Sequence, residues 1–268
     1  MKKVFRYLTK EKFEWMLNDG GIFVAPASSQ SDSREGVYDS DWLVKGLRAR
    51  MPNIDESLTQ GISSLSRELM HLNRKNTYLS SWYGGQEETY EMWEEYGKGG
   101  VLIVSDLFRL IHFTPEPITQ VTSYEYVTYC DFKKEISVFD PYKYKNEEFK
   151  YEAEFRMIFD MAKYSVLTGF EKEKYGEVFV GHERTPSYES EEITVCMYRK
   201  GILNSHKVLY SKSNGYVINF NLNDVILEIR TNPNASEEEA EYFRDLLLKA
   251  GVEARLTTSK LVVCEEEN

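Results

Sequence analysis

The chain has 268 residues, 41% of them hydrophobic and 14% aromatic, enough to bury a core and too apolar to stay disordered in water. Its 33 Lys and Arg against 44 Asp and Glu leave a net charge of −11. That balance argues against a general nucleic-acid binder or a binder of anionic membranes, since both need clustered positive charge.

Cys130, Cys196 and Cys264 are odd in number and far apart, and no Cys-x-x-Cys or Cys/His spacing points to zinc. They read as reduced thiols of a cytoplasmic protein. His71, His112, His182 and His206 stand alone, so no metal site built from local motifs is expected. Arg6 interrupts what would have to be the apolar core of a secretory signal, so none is expected. The most apolar internal stretch, Val101 to Phe113, is broken by Asp106 and Arg109. It falls short of the ~20 residues of a membrane helix, so no membrane partner is expected.

In chain order, Lys3 to Leu8 predicts a strand, with Thr9 capping a helix whose Phe13, Met16 and Leu17 share a face. Asn18-Asp19-Gly20-Gly21 ends that helix, and Ile22 to Ala25 predicts a second strand stopped by Pro26. From there to Asp41 the chain is rich in Ser, Asp and Gly, a loop long enough to be a candidate for function. Asp41 to Arg50 and Asp55 to Asn73 predict helices. The second carries Leu58, Ile62, Leu65, Leu69 and Leu72 at three- and four-residue steps, a stripe expected to face the core, with a partner face as the alternative. Thr77 to Tyr83 predicts a strand and Glu87 to Tyr96 an acidic helix with Trp93 and Tyr96 packed inward. The turn Gly97 to Gly100 leads into a strand, Val101 to Val104, but lacks the GxGxxG pattern and lysine of a phosphate cradle.

Val121 to Tyr129 predicts a strand, and Tyr142 to Tyr151 a helix running into Glu152 to Phe159, whose later half alternates as a strand. Short strands follow at Val178 to Val180, Ile193 to Tyr198, Lys207 to Tyr210 and Tyr216 to Phe220. The chain closes with a strand at Val225 to Arg230, a helix between the capping box Ser236/Glu239 and Gly251, and a strand at Val252 to Leu256. This irregular order predicts an α+β fold: a mixed, mainly antiparallel sheet flanked by helices, with a C-terminal β-α-β element. One domain spanning residues 1–268 is expected, with a soft sub-boundary near residue 220.

Several segments together resemble a bacterial and phage family known as domain of unknown function 2971. Phe5-Arg6-Tyr7 is similar to its Tyr-Arg-Tyr start, and Gly21 to Pro26 to the strand that follows. Ser31-Asp32-Ser33-Arg34-Glu35-Gly36 stands at its Asn-Asp-Pro-x-Glu loop, with Ser31 and Ser33 departing from the pattern. Leu79-Ser80-Ser81-Trp82 resembles its Cys-Phe-Ser strand without the cysteine, and Met92-Trp93-Glu94-Glu95-Tyr96-Gly97 its Met-Trp-x-x-Tyr-Gly helix. Glu152-Ala153-Glu154-Phe155-Arg156 is similar to its Glu-x-Glu-Tyr-Arg segment, and Ser259-Lys260-Leu261 to its Ser-x-Leu end.

A weaker likeness bears on chemistry. Arg6, then Ser80 and Ser81, then Glu152 and Glu154 follow the order Arg, Ser, Glu-x-Glu, which resembles the signature of ADP-ribosyltransferases. An arginine fork holds a pyrophosphate bidentately, and a strand serine bonds a ribose or supports the glutamate. A carboxylate holds the ribose 2′-hydroxyl and stabilises the positive charge that develops as the bond to nicotinamide breaks. The candidate catalytic residues are therefore Glu154 and Glu152, and the candidate nucleotide-binding residues Arg6, Tyr7, Ser80, Ser81 and Tyr83, the tyrosines as stacking faces. NAD would be a substrate rather than a structural cofactor. Glu152 and Glu154 share a face if the strand already begins there. Two such carboxylates repel, so one shifts its pKa upward or pairs with a cation such as Arg156. The alternative is a non-catalytic interaction module, in which the acidic stretches Glu87 to Glu95 and Asp32 to Asp41 meet a basic protein partner.

Overall fold

The computed structural model describes residues 2–131, 136–175 and 207–261. Cys196, Cys264, His182, His206 and the strands expected at Val178 to Val180 and Ile193 to Tyr198 lie outside the described residues.

The fold is α+β, and its main element is a ten-stranded, mostly antiparallel sheet. The first half of the chain supplies β1 (Lys3–Leu8), α1 (Lys10–Asp19), β2 (Gly21–Pro26), α2 (Trp42–Arg50), α3 (Glu56–Asn76), β3 (Thr77–Tyr83), α4 (Tyr90–Tyr96), β4 (Val101–Asp106) and α5 (Leu107–His112). There follow β5 (Thr122–Tyr126), β6 (Thr128–Cys130), β7 (Tyr144–Asn146), β8 (Glu154–Asp160), α6 (Met161–Thr168) and α7 (Lys172–Tyr175). The last described stretch holds β9 (Leu209–Lys212), β10 (Gly215–Asn219), α8 (Leu222–Val225), β11 (Glu228–Thr231), α9 (Glu237–Ala250) and β12 (Arg255–Thr258).

Local signals set the helix ends. The Thr9 hydroxyl accepts from the Lys12 N–H, and Gly20 closes α1 at φ 62°. Ser236 and Glu239 form the expected capping box of α9, and Gly251 closes it at φ 66°. Of the large sheet's ladders only β11–β12 is parallel, which is the expected closing β-α-β, and β11 is sewn to the body of the sheet through β4.

The sheet forks at β3. The strand order is β12-β11-β4-β1-β3-β2-β10-β9, with β8 on the other edge of β3 and β5 outside it. β1 meets β3 only where Phe5 lies opposite Tyr83. β2 meets it only at the far end, Ala25 and Pro26 opposite Leu79 and Tyr78. Between those points Ser80, Ser81 and Trp82 pair with neither strand, while β8 pairs the whole of β3 on its opposite edge. The two arms splay and leave a V. Val4, Leu8, Trp82, Phe155 and Met157 bury one side of the sheet in the main core. Phe5, Tyr7, Tyr83, Met92 and Trp93 bury the other in a smaller aromatic cluster.

Two expectations need correction. The α3 leucine stripe does not face the core: Leu58 and Leu65 are more than half exposed, and Leu69 and Leu72 more than a third. Instead Thr59, Ser66, Met70 and Asn76 are buried. α3 lies against the 3-10 turn Ala27–Ser29 and β3, and small or polar side chains permit that close approach. The helix expected over Tyr142 to Tyr151 is instead a 3-10 turn, the short strand β7 and a second 3-10 turn, Glu147–Glu152. Pairing with β6 and an inward salt bridge from Lys145 outweigh the local helical composition.

A candidate active site at the sheet fork

The V between the arms is a cavity of about 600 Å³, within the ~300–1,000 Å³ of small-molecule sites. Its walls include Arg6, Tyr7, Ser81, Tyr83, Glu152 and Glu154, so six of the seven candidate residues line one space. Ser80 does not line it: that side chain is buried, and its hydroxyl accepts from Arg6 Nη1 at 2.5 Å.

Arg6 spans the fork. Its second arm, Nη2, donates to the Phe23 carbonyl on β2 at 3.1 Å, and the guanidinium lies 5.6 Å from the Trp82 ring. Among the described residues no carboxylate pairs with it. Burial, the cost of holding an uncompensated charge away from water, pulls its pKa down to about 10. Two of five N–H donors are used, so three remain for an anion.

Glu152 and Glu154 converge, though not by strand alternation. β8 begins only at Glu154, and Glu152 ends the preceding 3-10 turn. Ala153 between them is left-handed, at φ 38° and ψ 48°, which swings both carboxylates onto one cation, Lys145. Gly84 locks this turn: its N–H donates to the Ala153 carbonyl at 2.8 Å, and a Cβ on Gly84 would lie 2.9 Å from that oxygen.

Glu154 also accepts from Arg156 Nε at 2.7 Å and Nη2 at 2.9 Å, and the Ser81 hydroxyl helps to keep it ionised. Burial alone would raise its pKa, but Arg156 and Lys145 outweigh it and bring the group down to about 2. Glu152 accepts from Lys145 and, at 2.6 Å, from the Tyr96 hydroxyl, yet burial holds its pKa above the ordinary value. The Lys145 ammonium, despite burial, is held above its usual value by Glu154 and Glu152. On its far side Arg156 forks onto Glu35, from the loop after β2, and donates to the Tyr142 carbonyl at 2.7 Å. Three carboxylates thus surround two cations, one negative charge in excess when all are ionised. Burial accordingly pushes Glu35 up to about 7.

Tyr7 and Tyr83 line the cavity but are engaged elsewhere. Their rings meet edge-on at 6.0 Å, and Tyr7 meets Trp93 edge-on at 5.1 Å. The Tyr7 hydroxyl accepts from the Thr89 N–H at 3.1 Å. Sequence reasoning missed Lys145 and the role of Glu35. Lys145 sat in a segment read as helix, and Glu35 reaches a partner 121 positions away. Lys12 of α1 also lines the cavity.

Among the described residues no group of three His, Cys, Asp or Glu side chains could hold a metal ion, and no helix is long and apolar enough to cross a membrane. Comparison with protein families, with curated proteins and with solved structures gives no match.

Proposed function

We propose that the fork is the substrate site of an ADP-ribosyltransferase-like domain that takes NAD or a related nucleotide. One observation carries this reading: Arg6, Ser81 and Glu154, from strands far apart in the chain, line a single open cavity. Arg6, with three donors spare, takes the pyrophosphate. Glu154 stays ionised and, oriented by Arg156, faces the nicotinamide ribose. As the bond from ribose C1′ to nicotinamide breaks, its electron pair leaves on the nicotinamide, and Glu154 stabilises the positive charge left on the sugar. Water or an acceptor nucleophile then bonds to C1′ and gives up its proton to solvent. Lys145 offsets part of the carboxylate field, and Glu152 restores it.

The test is incubation with NAD and chromatography of the products. Nicotinamide release is expected from the native chain and not from Glu154→Gln, with NAD raising the melting temperature of the native chain by mass action. Absence of both release and stabilisation overturns the reading.

The interaction-module reading draws less support from the geometry. Glu35 is committed to Arg156, and Glu88 accepts from Arg230, Trp93, Ser259 and the Lys260 N–H, so both are removed from an acidic docking face.

A further inference from the structure

We infer that α3 pairs, antiparallel, with the α3 of a second copy of this chain through its outward leucine stripe. Leu58, Ile62, Leu65, Leu69 and Leu72 are spaced by four, three, four and three residues. That is the strict 3.5-residue repeat of a two-helix seam, narrower than the face a helix turns to a globular core. The opposite side of α3 is fixed to its own sheet through Thr59, Ser66, Met70 and Asn76. The seam is therefore held outward by a rigid body, and little ordering remains to be done on association.

The exposed apolar surface is concentrated here. Of the fourteen large hydrophobic residues exposed among the described residues, seven fall within 42–72, on or just after the mutually packed helices α2 and α3. The stripe is about 21 Å long. A standard interface covers roughly 800 Å² per partner, so Trp42, Leu43 and Met51, exposed on and just after the neighbouring α2, are needed beside it.

Charge selects the partner and the direction. A chain of net charge −11 repels its copies in general, but α3 has Asp55 and Glu56 at its start, Glu56 also pairing with Arg48 of α2, and Lys75 beside Arg74, which bonds the Ser33 carbonyl, in its last turn. Antiparallel pairing sets the acidic end of one helix beside the basic end of the other, whereas parallel pairing sets like beside like. The same patch on both copies closes a twofold dimer and leaves no open surface to propagate.

Sedimentation equilibrium from about 1 to 100 µM, a range in which a standard interface associates, tests this. The native chain is expected to reach the mass of two chains. Leu65→Glu combined with Leu69→Glu, both at exposed positions, is expected to stay at one, with an unchanged circular dichroism spectrum and the melting temperature of the native chain diluted until it is monomeric. A native chain that stays monomeric, or a dimer that survives the double substitution, overturns the inference. Direction is read by disulfide trapping with Cys130, Cys196 and Cys264 replaced by Ser. Leu58→Cys chains mixed with Leu72→Cys chains are expected to give the mixed cross-link, and cross-linking of each only to itself contradicts the antiparallel arrangement.

Discussion

Arg6 on β1 donates to the Ser80 hydroxyl on β3 at 2.5 Å, across a gap where those strands share no ladder. With its other arm on Phe23 of β2, one guanidinium braces the mouth of the V and still faces the cavity. The two adjacent serines consequently have separate tasks.

Ser80→Ala removes a buried bond to a charged group and should lower the unfolding free energy by about 1.5–3 kcal/mol. Ser81→Ala, at an exposed position, should change it by no more than about 0.5 kcal/mol while slowing nicotinamide release. Urea unfolding and a turnover assay on both variants separate the two roles.

Arg156 is 1% exposed and stands between Glu35 and Glu154. Arg156→Met leaves both carboxylates buried without their main cation, and a loss of about 3–5 kcal/mol is expected in the urea midpoint analysis. Loss of less than about 1 kcal/mol would show that the network relaxes or admits water.

The burial of Glu35 predicts a pH dependence. Glu35 is raised to about 7, so between about pH 5 and pH 7 the folded chain holds a proton that the unfolded chain has released. Unfolding free energy should therefore fall by about 1–3 kcal/mol as pH rises through that window. Glu35→Gln should flatten the slope. Glu154, lowered to about 2, acts with the opposite sign: its contribution is present above the ordinary carboxylate range and is lost as pH falls toward about 2. Urea titrations of both chains across pH give the two slopes.

Ala153 is left-handed at φ 38°, a conformation that costs an L-residue about 1–2 kcal/mol and a β-branched one more. Ala153→Val should lower the urea midpoint and reduce nicotinamide release by separating Glu152 from Glu154. Ala153→Gly should preserve both.

Much of this arrangement is legible in local patterns. The Thr9 cap, the Ser236/Glu239 box and the strands β3 and β8 follow short-range rules, and residues of the Arg, Ser, Glu-x-Glu order line one cavity. Long-range charge pairing is not legible that way. Lys145 extends where its composition favours helix because two buried carboxylates await it, and Arg156 meets Glu35 across 121 positions. Periodicity found the α3 stripe but carries no information on whether the body it packs against is its own; the small Thr59 and Ser66 on the opposite face are the clue.

The most direct test of the fork as a nucleotide site is calorimetric titration of NAD into the native chain and into Arg6→Gln. Saturable binding by the native chain, weakened at least about tenfold by the substitution as a charged phosphate contact is lost, is the predicted result. No binding to the native chain, or equal affinity in the variant, would contradict it.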